Sequence, residues 1–377
     1  MRDTELKYFY PYLFESKFNF KEKLKNRDSF FDELCGKSEY FYENENFYGT
    51  RRNRENFSLL ECSLNDNLVH EFLAWESWFK NGRNIFSFSK ELLEMLNHTD
   101  VRNITYESFN LPYDNFYISL NSLGLRITED SDKVIEGVYV SVNRDAMLEK
   151  EYDKENYITD YALEFHFVGD FEEFIIKYHD KVWNNSGSGG ESFWNYAFYF
   201  NKKDNIVKIT DAINDWKYVF TNTFFPEKSE EVTDDHLDLF NYLSKLIDST
   251  CIIVVNCLLY LSMPREEKDL ELLYPEDLPF NFNRKLKYTK NKNEISTIER
   301  KIHESGYSKI QYIGYSYQKS SIIVNHNINR LSPHWRRGHW RNQRFGEKLI
   351  NKKIVWIRPL IVNSEIGSPE KGHVYEI

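Results

Sequence analysis

Residues 332–346, SPHWRRGHWRNQRFG, hold four arginines, two histidines, two tryptophans and no acid. Guanidinium groups grip phosphate oxygens through paired N–H donors, and indole faces are surfaces on which bases stack. The segment therefore predicts RNA or phosphate binding by Arg336, Arg337, Arg341 and Arg344, with Trp340 as the stacking ring. A second chemistry is open to the same residues. His334 and His339 would act as base and acid on an RNA 2′-hydroxyl, with the arginines stabilising the charged phosphorane. A third reading assigns no chemistry at all: the tryptophans pack inward, the histidines satisfy backbone groups and the arginines are solvated.

Backbone conformation decides which side chains share a face. In a helix capped by Ser332 with Pro333 in its first turn, Arg337, Trp340, Arg341 and Arg344 would lie together. Gly338 in mid-helix costs about 1 kcal/mol, so the extended form is preferred. Then His334, Arg336, Gly338 and Trp340 point one way, and Trp335, Arg337, His339 and Arg341 the other. A metal site is not predicted. His326, His334, His339 and His373 have no carboxylate at ligand spacing, and their cationic neighbours oppose a divalent ion. No cofactor motif of the GxSxG, HExxH, Walker or Rossmann type is present. His166, in LEFHFVG, alternates with apolar residues and reads as a strand histidine. NNSGSGGES (184–192) reads as a mobile loop and lacks the GK[ST] ending of a phosphate loop.

Charge is divided unevenly along the chain. Residues 284–360 hold 18 Lys/Arg against 4 Asp/Glu, whereas the 377 residues together carry a net charge of −10. One end attracts nucleic acid and the rest repels it, which excludes a protein that coats DNA. It suits a protein that holds RNA or a ribosome at one end and something else at the other, or one whose two halves dock on each other. Cys35, Cys62, Cys251 and Cys257 show neither a CxxC pair nor zinc spacing and read as free thiols of a reducing compartment. The N-terminus lacks an apolar leader-like run, and CIIVVNCLLYLSM (251–263) is too short to span a bilayer, so a cytoplasmic protein without membrane contact is expected.

The elements that must position these residues are legible from periodicity. The fold class expected is α+β: a helical N-terminal region (1–100), an acidic antiparallel-sheet body with a long buried helix (101–263), a linker or surface excursion (264–294), and a small basic β-rich C-terminal region (295–377). Leu68, Phe72, Trp75 and Phe79 mark a helical stripe, and 65–97 reads as two helices around NGRN. Residues 5–34 read as helices broken near Pro11, and 40–62 as irregular. LPYDNFYISL, KVIEGVYVSV, YALEFHFVG, FWNYAFYF and NIVKITDAI read as strands. Asp234 or Asp235 would start the long helix and Pro264 would stop it. KIQYIGYS and SSIIVNHN read as strands, and Pro359 confines KKIVWIRPLIVN to an edge or breaks it.

SPHWRRGHWRNQRFGEKLINKKIVWIRPLIVN resembles the C-terminal signature of a family carried by phages, plasmids and other mobile elements. That signature runs P-H-x-R-R-G-H-x-R, then a glycine, a basic spacer and W-I-x-P. It corresponds here to Pro333, His334, Arg336, Arg337, Gly338, His339, Arg341, Gly346, Trp356, Ile357 and Pro359. LPYDNFYISL, IEGVYV and VVNCLLYLS are similar to earlier parts of the same family. Its members include an anti-CRISPR directed at a type V CRISPR nuclease. The resemblance implies a counter-defence factor that lowers synthesis of its target by recognising the nascent polypeptide and provoking loss of the message. A metal-independent ribonuclease and a non-enzymatic protein-binding module are the alternatives.

Overall fold

The computed structural model describes residues 4–35, 38–43, 46–52, 59–144, 147–149, 156–158, 161–182, 194–200, 208–224, 234–317, 324–325 and 334–362. The Gly/Ser run 184–192, Pro333, His326 and His373 lie outside them, as do the side chains of His334, Asp234 and Asp235.

The chain opens with α1 (Tyr10–Phe18), α2 (Phe20–Lys23) and α3 (Arg27–Cys35), followed by a hairpin, β1 (Ser38–Glu43) with β2 (Asn46–Arg52). Pro11 does not break the first helix. It sits in the opening turn of α1, where a missing N–H is harmless, and the break falls at Asn19, which is left-handed with φ 52°. Of the segment expected to be irregular, 40–62, the described residues belong to this hairpin and to the start of the next helix. Next come α4 (Leu59–Lys80), β3 (Ile85–Phe88), α5 (Lys90–Asn97), β4 (Thr99–Asp100), β5 (Asn115–Ser119) and β6 (Ile135–Arg144). A small pair, β7 (Met147–Glu149) and β8 (Asn156–Ile158), precedes β9 (Tyr161–Gly169), α6 (Glu172–Val182), β10 (Asn195–Phe200), α7 (Ile209–Phe224) and α8 (Asp234–Ser262). After Pro264 the chain forms β11 (Leu270–Leu273), α9 (Phe282–Tyr288), α10 (Lys292–Glu304) and β12 (Ile310–Ile313). The remainder is β13 (Val324–Asn325), β14 (His334–Arg336), β15 (Gly338–Phe345), β16 (Asn351–Ile357) and β17 (Leu360–Val362).

The fold is α+β around a seven-stranded sheet of order β10-β9-β6-β5-β3-β12-β11. It is mostly antiparallel, except that β3 runs parallel to both of its neighbours, β5 and β12. Helices cover both faces. Phe72, Trp75 and Trp78 of α4 pack with Phe9, Phe14 and Phe20 over Ile85, Tyr117, Tyr139 and Ile310. On the other face α5 and α8 pack over Phe86, Phe116, Ile118, Val138 and Phe165. Alternate residues of each strand thus feed two separate cores, which is why the sheet strands carry few polar residues.

That double burial explains one misreading. Ile85–Phe88 was expected to be helical, but all four residues are buried in β3, and a strand buried on both faces shows no alternation. Ser89 then caps α5, its Oγ accepting from the Leu92 amide at 3.2 Å. NIVKITDAI also departs from expectation, because α7 begins at Ile209. The expected linker over 264–294 contains a sheet strand and helix α9, and the Glu276 amide donates to the Thr4 carbonyl at 2.7 Å. Among the described residues one helix, Asp238–Ser262, is long and apolar enough to cross a membrane, but 67% of its most apolar window is buried inside the fold. Within it Cys251 and Cys257 are free and fully buried.

Candidate nucleic-acid interface

Residues 334–345 are extended, as Gly338 implied, but they form two strands rather than one. β14 pairs with β17 in a sheet with β13, while β15 pairs with β16 and, at its start, in parallel with β4. The chain turns between them at Arg337. The reason for glycine at 338 is close approach rather than an unusual φ. A Cβ there would lie 2.7 Å from Pro359 Cδ and 2.8 Å from the Ile357 carbonyl oxygen. Pro359 in turn ends β16 and separates it from β17. Gly338→Ala is expected to destabilise the chain by about 1–3 kcal/mol, because ring and backbone rather than a flexible side chain must yield. A denaturant midpoint at unchanged slope checks this.

The base of the β15–β16 ribbon is fastened to the core. Trp340 is 7% exposed and stacks on Trp356 with ring centroids 6.0 Å apart. Its Nε1 donates to Oδ1 of Asn256 at 2.6 Å, and Nε1 of Trp356 donates to Oγ1 of Thr99 at 3.1 Å. Asn256 completes the link by donating to the Thr99 carbonyl at 3.1 Å. Trp340, expected to stack on a base, is therefore a core residue whose ring is occupied. Asn256 was visible in sequence as a polar interruption of an apolar helix, but the partner that makes it necessary lies 84 positions away.

Beyond Trp340 burial ends abruptly, and residues 341–352 are all exposed. Strand register sorts their side chains. His339 and Arg341 share one side, where Nη2 of Arg341 donates to Oε1 of Gln343 at 3.0 Å. Arg344 lies on the other side, directly opposite Lys352. Two cations facing across a strand pair repel unless an anion sits with them. Arg336 is exposed on β14 and Arg337 at the corner. The four arginines are thus divided between β14, the corner and the two sides of the exposed ribbon, with Lys348 at its turn, rather than gathered on one helical face.

His334 and His339 are not on paired strands. His334 opens β14 opposite Val362, and His339 lies on β15 between Ile357 of β16 and Asp100 of β4. A cleft of about 310 Å³ opens at His339, lined by Asp100, Arg102, Asn103, Ile104, Arg337 and Gly338 as well. Asp100 is committed there: Arg102 Nη2 donates to its Oδ2 at 2.6 Å. Burial pushes the Asp100 carboxyl up, but the hydrogen bonds and charge of Arg102, aided by Arg337, outweigh it and hold the pKa below the usual range. Trp335 stacks on His98 at 4.4 Å, and burial, then the Arg337 charge, keeps that imidazole below its ordinary pKa. The cleft is a polar, predominantly cationic recess beside the ribbon. Among the described residues no group of three His, Cys, Asp or Glu side chains is placed to hold a metal ion.

Comparison with known proteins adds three findings. The model of the AcrVA2-like family, described as the anti-CRISPR type V subtype A2 family, matches residues 86–364. Among solved structures, the crystal structure of AcrVA2 aligns with 80% of this chain and 78% of its own length, at 14% identity and a TM-score of 0.39. None of the curated proteins matches.

Proposed function

The chain belongs to the anti-CRISPR type V subtype A2 family, and from that membership we propose a counter-defence factor of a mobile element that suppresses production of its target protein. In this reading the acidic body recognises a nascent polypeptide on the ribosome, and the basic ribbon engages the accompanying RNA in the host cytoplasm. The observation that carries the RNA assignment is the run of exposed residues 341–352 with Arg344 facing Lys352. Such a pair is disfavoured in isolation and relieved by a phosphate between the two cations. Arg341 adds a cation on the ribbon's opposite side, shared with His339, and Arg336 and Arg337 precede it on β14 and at the corner beside the cleft.

Two measurements test this reading. Arg341→Ala/Arg344→Ala should weaken binding of single-stranded RNA and lower the salt slope by about 1.4, since each lost phosphate contact removes about 0.7. An unchanged slope would remove the ribbon from the interface. Recovery of ribosomes with the tagged protein, followed by sequencing of the attached messages, should enrich one message encoding a CRISPR nuclease. Absence of ribosomes from the recovered material would overturn the nascent-chain reading. Incubation of labelled RNA with the chain addresses the nuclease alternative, and intact RNA would exclude it.

A further inference from the structure

Helices α9 and α10 enclose a small core of their own, with Leu278, Phe282 and Ile302 buried and Leu286 and Ile298 packed against them. The outside of this unit has a different character. Arg284, Lys285, Lys287 and Lys290 are all exposed. In α9, Arg284, Lys287 and Tyr288 fall on one side by helical spacing. Of the acids of α10, Glu299 pairs with Lys309 at 2.8 Å and Glu304 with Arg300 at 3.7 Å, while Glu294 is exposed in its first turn.

Two aromatic rings stand among these cations. Tyr288 is 72% exposed and Phe280 is 68% exposed. Phe280 is also left-handed, with φ 57°, next to left-handed Asn281 at φ 56°. That conformation is unfavourable for a bulky side chain, and exposing the ring adds to the cost. The ring is nevertheless set in place, edge-on to Phe282 with centroids 5.7 Å apart.

We propose that this surface is a second binding site for single-stranded nucleic acid, with bases stacked on Phe280 and Tyr288 and phosphates held by Arg284, Lys285, Lys287 and Lys290. It extends the reading of the ribbon as RNA-facing, but rests on different residues. Rings interleaved with cations are what a single strand requires. The surface is rich in lysine, which protein–protein interfaces deplete. Its aliphatic residues, Leu286 and Ile298, are turned into the small core, which leaves no apolar stripe for a bilayer.

The test uses the full chain and labelled oligouridylate, oligothymidylate and a duplex of matched length, in a salt titration. Phe280→Ala/Tyr288→Ala should bind both single strands about tenfold more weakly and the duplex unchanged. Tyr288→Phe, which keeps the ring, should bind like the parent. Lys285→Ala/Lys287→Ala/Lys290→Ala should lower the single-strand salt slope by about 2. Weaker binding to oligouridylate than to oligothymidylate would mark DNA as the source, and the reverse would mark RNA; either supports the site. Parental affinity in the ring and lysine variants, with loss only in Arg341→Ala/Arg344→Ala, would overturn this proposal and leave the ribbon reading intact. Absence of binding by the parent would overturn both. Ring-dependent binding to phosphatidylserine vesicles without ring-dependent binding to oligonucleotides would assign the surface to a membrane and overturn it. All the substituted side chains are exposed, so melting at the parental temperature is expected to confirm folding.

Discussion

Alanine at Trp340 should destabilise the chain by about 3–5 kcal/mol, the cost of removing a large ring from a packed site. Three losses combine there. The stack on Trp356 goes, a cavity opens beside α8, and Oδ1 of Asn256 loses its donor at a fully buried position. Trp340→Phe separates them, since it keeps most of the volume and removes only the donor, for a cost of about 1–3 kcal/mol. Asn256→Leu should cost at least as much as Trp340→Phe, because it leaves both the Trp340 N–H and the Thr99 carbonyl without a partner. Urea midpoints of the three variants check the order. RNA affinity supplies the contrast: Arg341→Ala/Arg344→Ala should weaken binding without moving the midpoint. Equal stability of Trp340→Ala and the parent would mean that the ribbon is not fastened through this residue.

The second large effect is on pH dependence. Glu71 of α4 is 4% exposed, accepts from the Tyr10 hydroxyl at 3.1 Å and from Asn67 Nδ2 at 3.2 Å, and has its pKa raised to about 8. Burial is the main cause, opposed by those hydrogen bonds and the more distant Lys17 charge, and reinforced by Asp170. The folded chain therefore holds a proton that the unfolded chain releases near the ordinary carboxyl value of 4.5. Stability contributed by that proton is complete below the unfolded value and is lost as pH rises through about 8. The full effect is on the order of 5 kcal/mol. Glu71→Gln should match the parent near the acid end of this window and exceed it in stability above its upper end. Parallel stability curves for the two proteins across that window would refute a protonated Glu71.

His166 works on the opposite limb. Burial, with a smaller contribution from His70, lowers its pKa to about 3, so the folded chain holds fewer protons than the unfolded one between that value and the ordinary 6.5. Stability is lost as pH falls through that range. The strand placement expected for His166 holds, since it pairs with Tyr139 and Asn195 inside the main sheet.

How far the sequence reached depended on whether a signal was local. The long helix ending before Pro264, the stripe of Phe72 and Trp75, the strands ending at Ser119, Arg144 and Gly169, and the extended state of Gly338–Phe345 all follow from side-chain period and from glycine and proline chemistry. Those properties belong to a few neighbouring residues, so no fold is needed to read them. β3 was illegible because a strand buried on both faces has no polar side to reveal its period. α7 was misread because the β-branched residues around Ile209 favour a strand until packing on β10 decides otherwise. The charge division was likewise plain in the sequence, as was the concentration of arginine near residue 340.

What the sequence could not assign was the side on which each of those residues acts. Trp340 and Arg341 are neighbours with the same apparent claim to a nucleic acid. Tertiary structure sends one to Asn256 in the core and leaves the other on the exposed ribbon, because the pleat alternates faces and α8 covers only one of them. Composition determined that this end of the chain is cationic and extended. Only the packing of β15 against β4, β16 and α8 decided which of its residues hold the ribbon in place and which remain free for a partner.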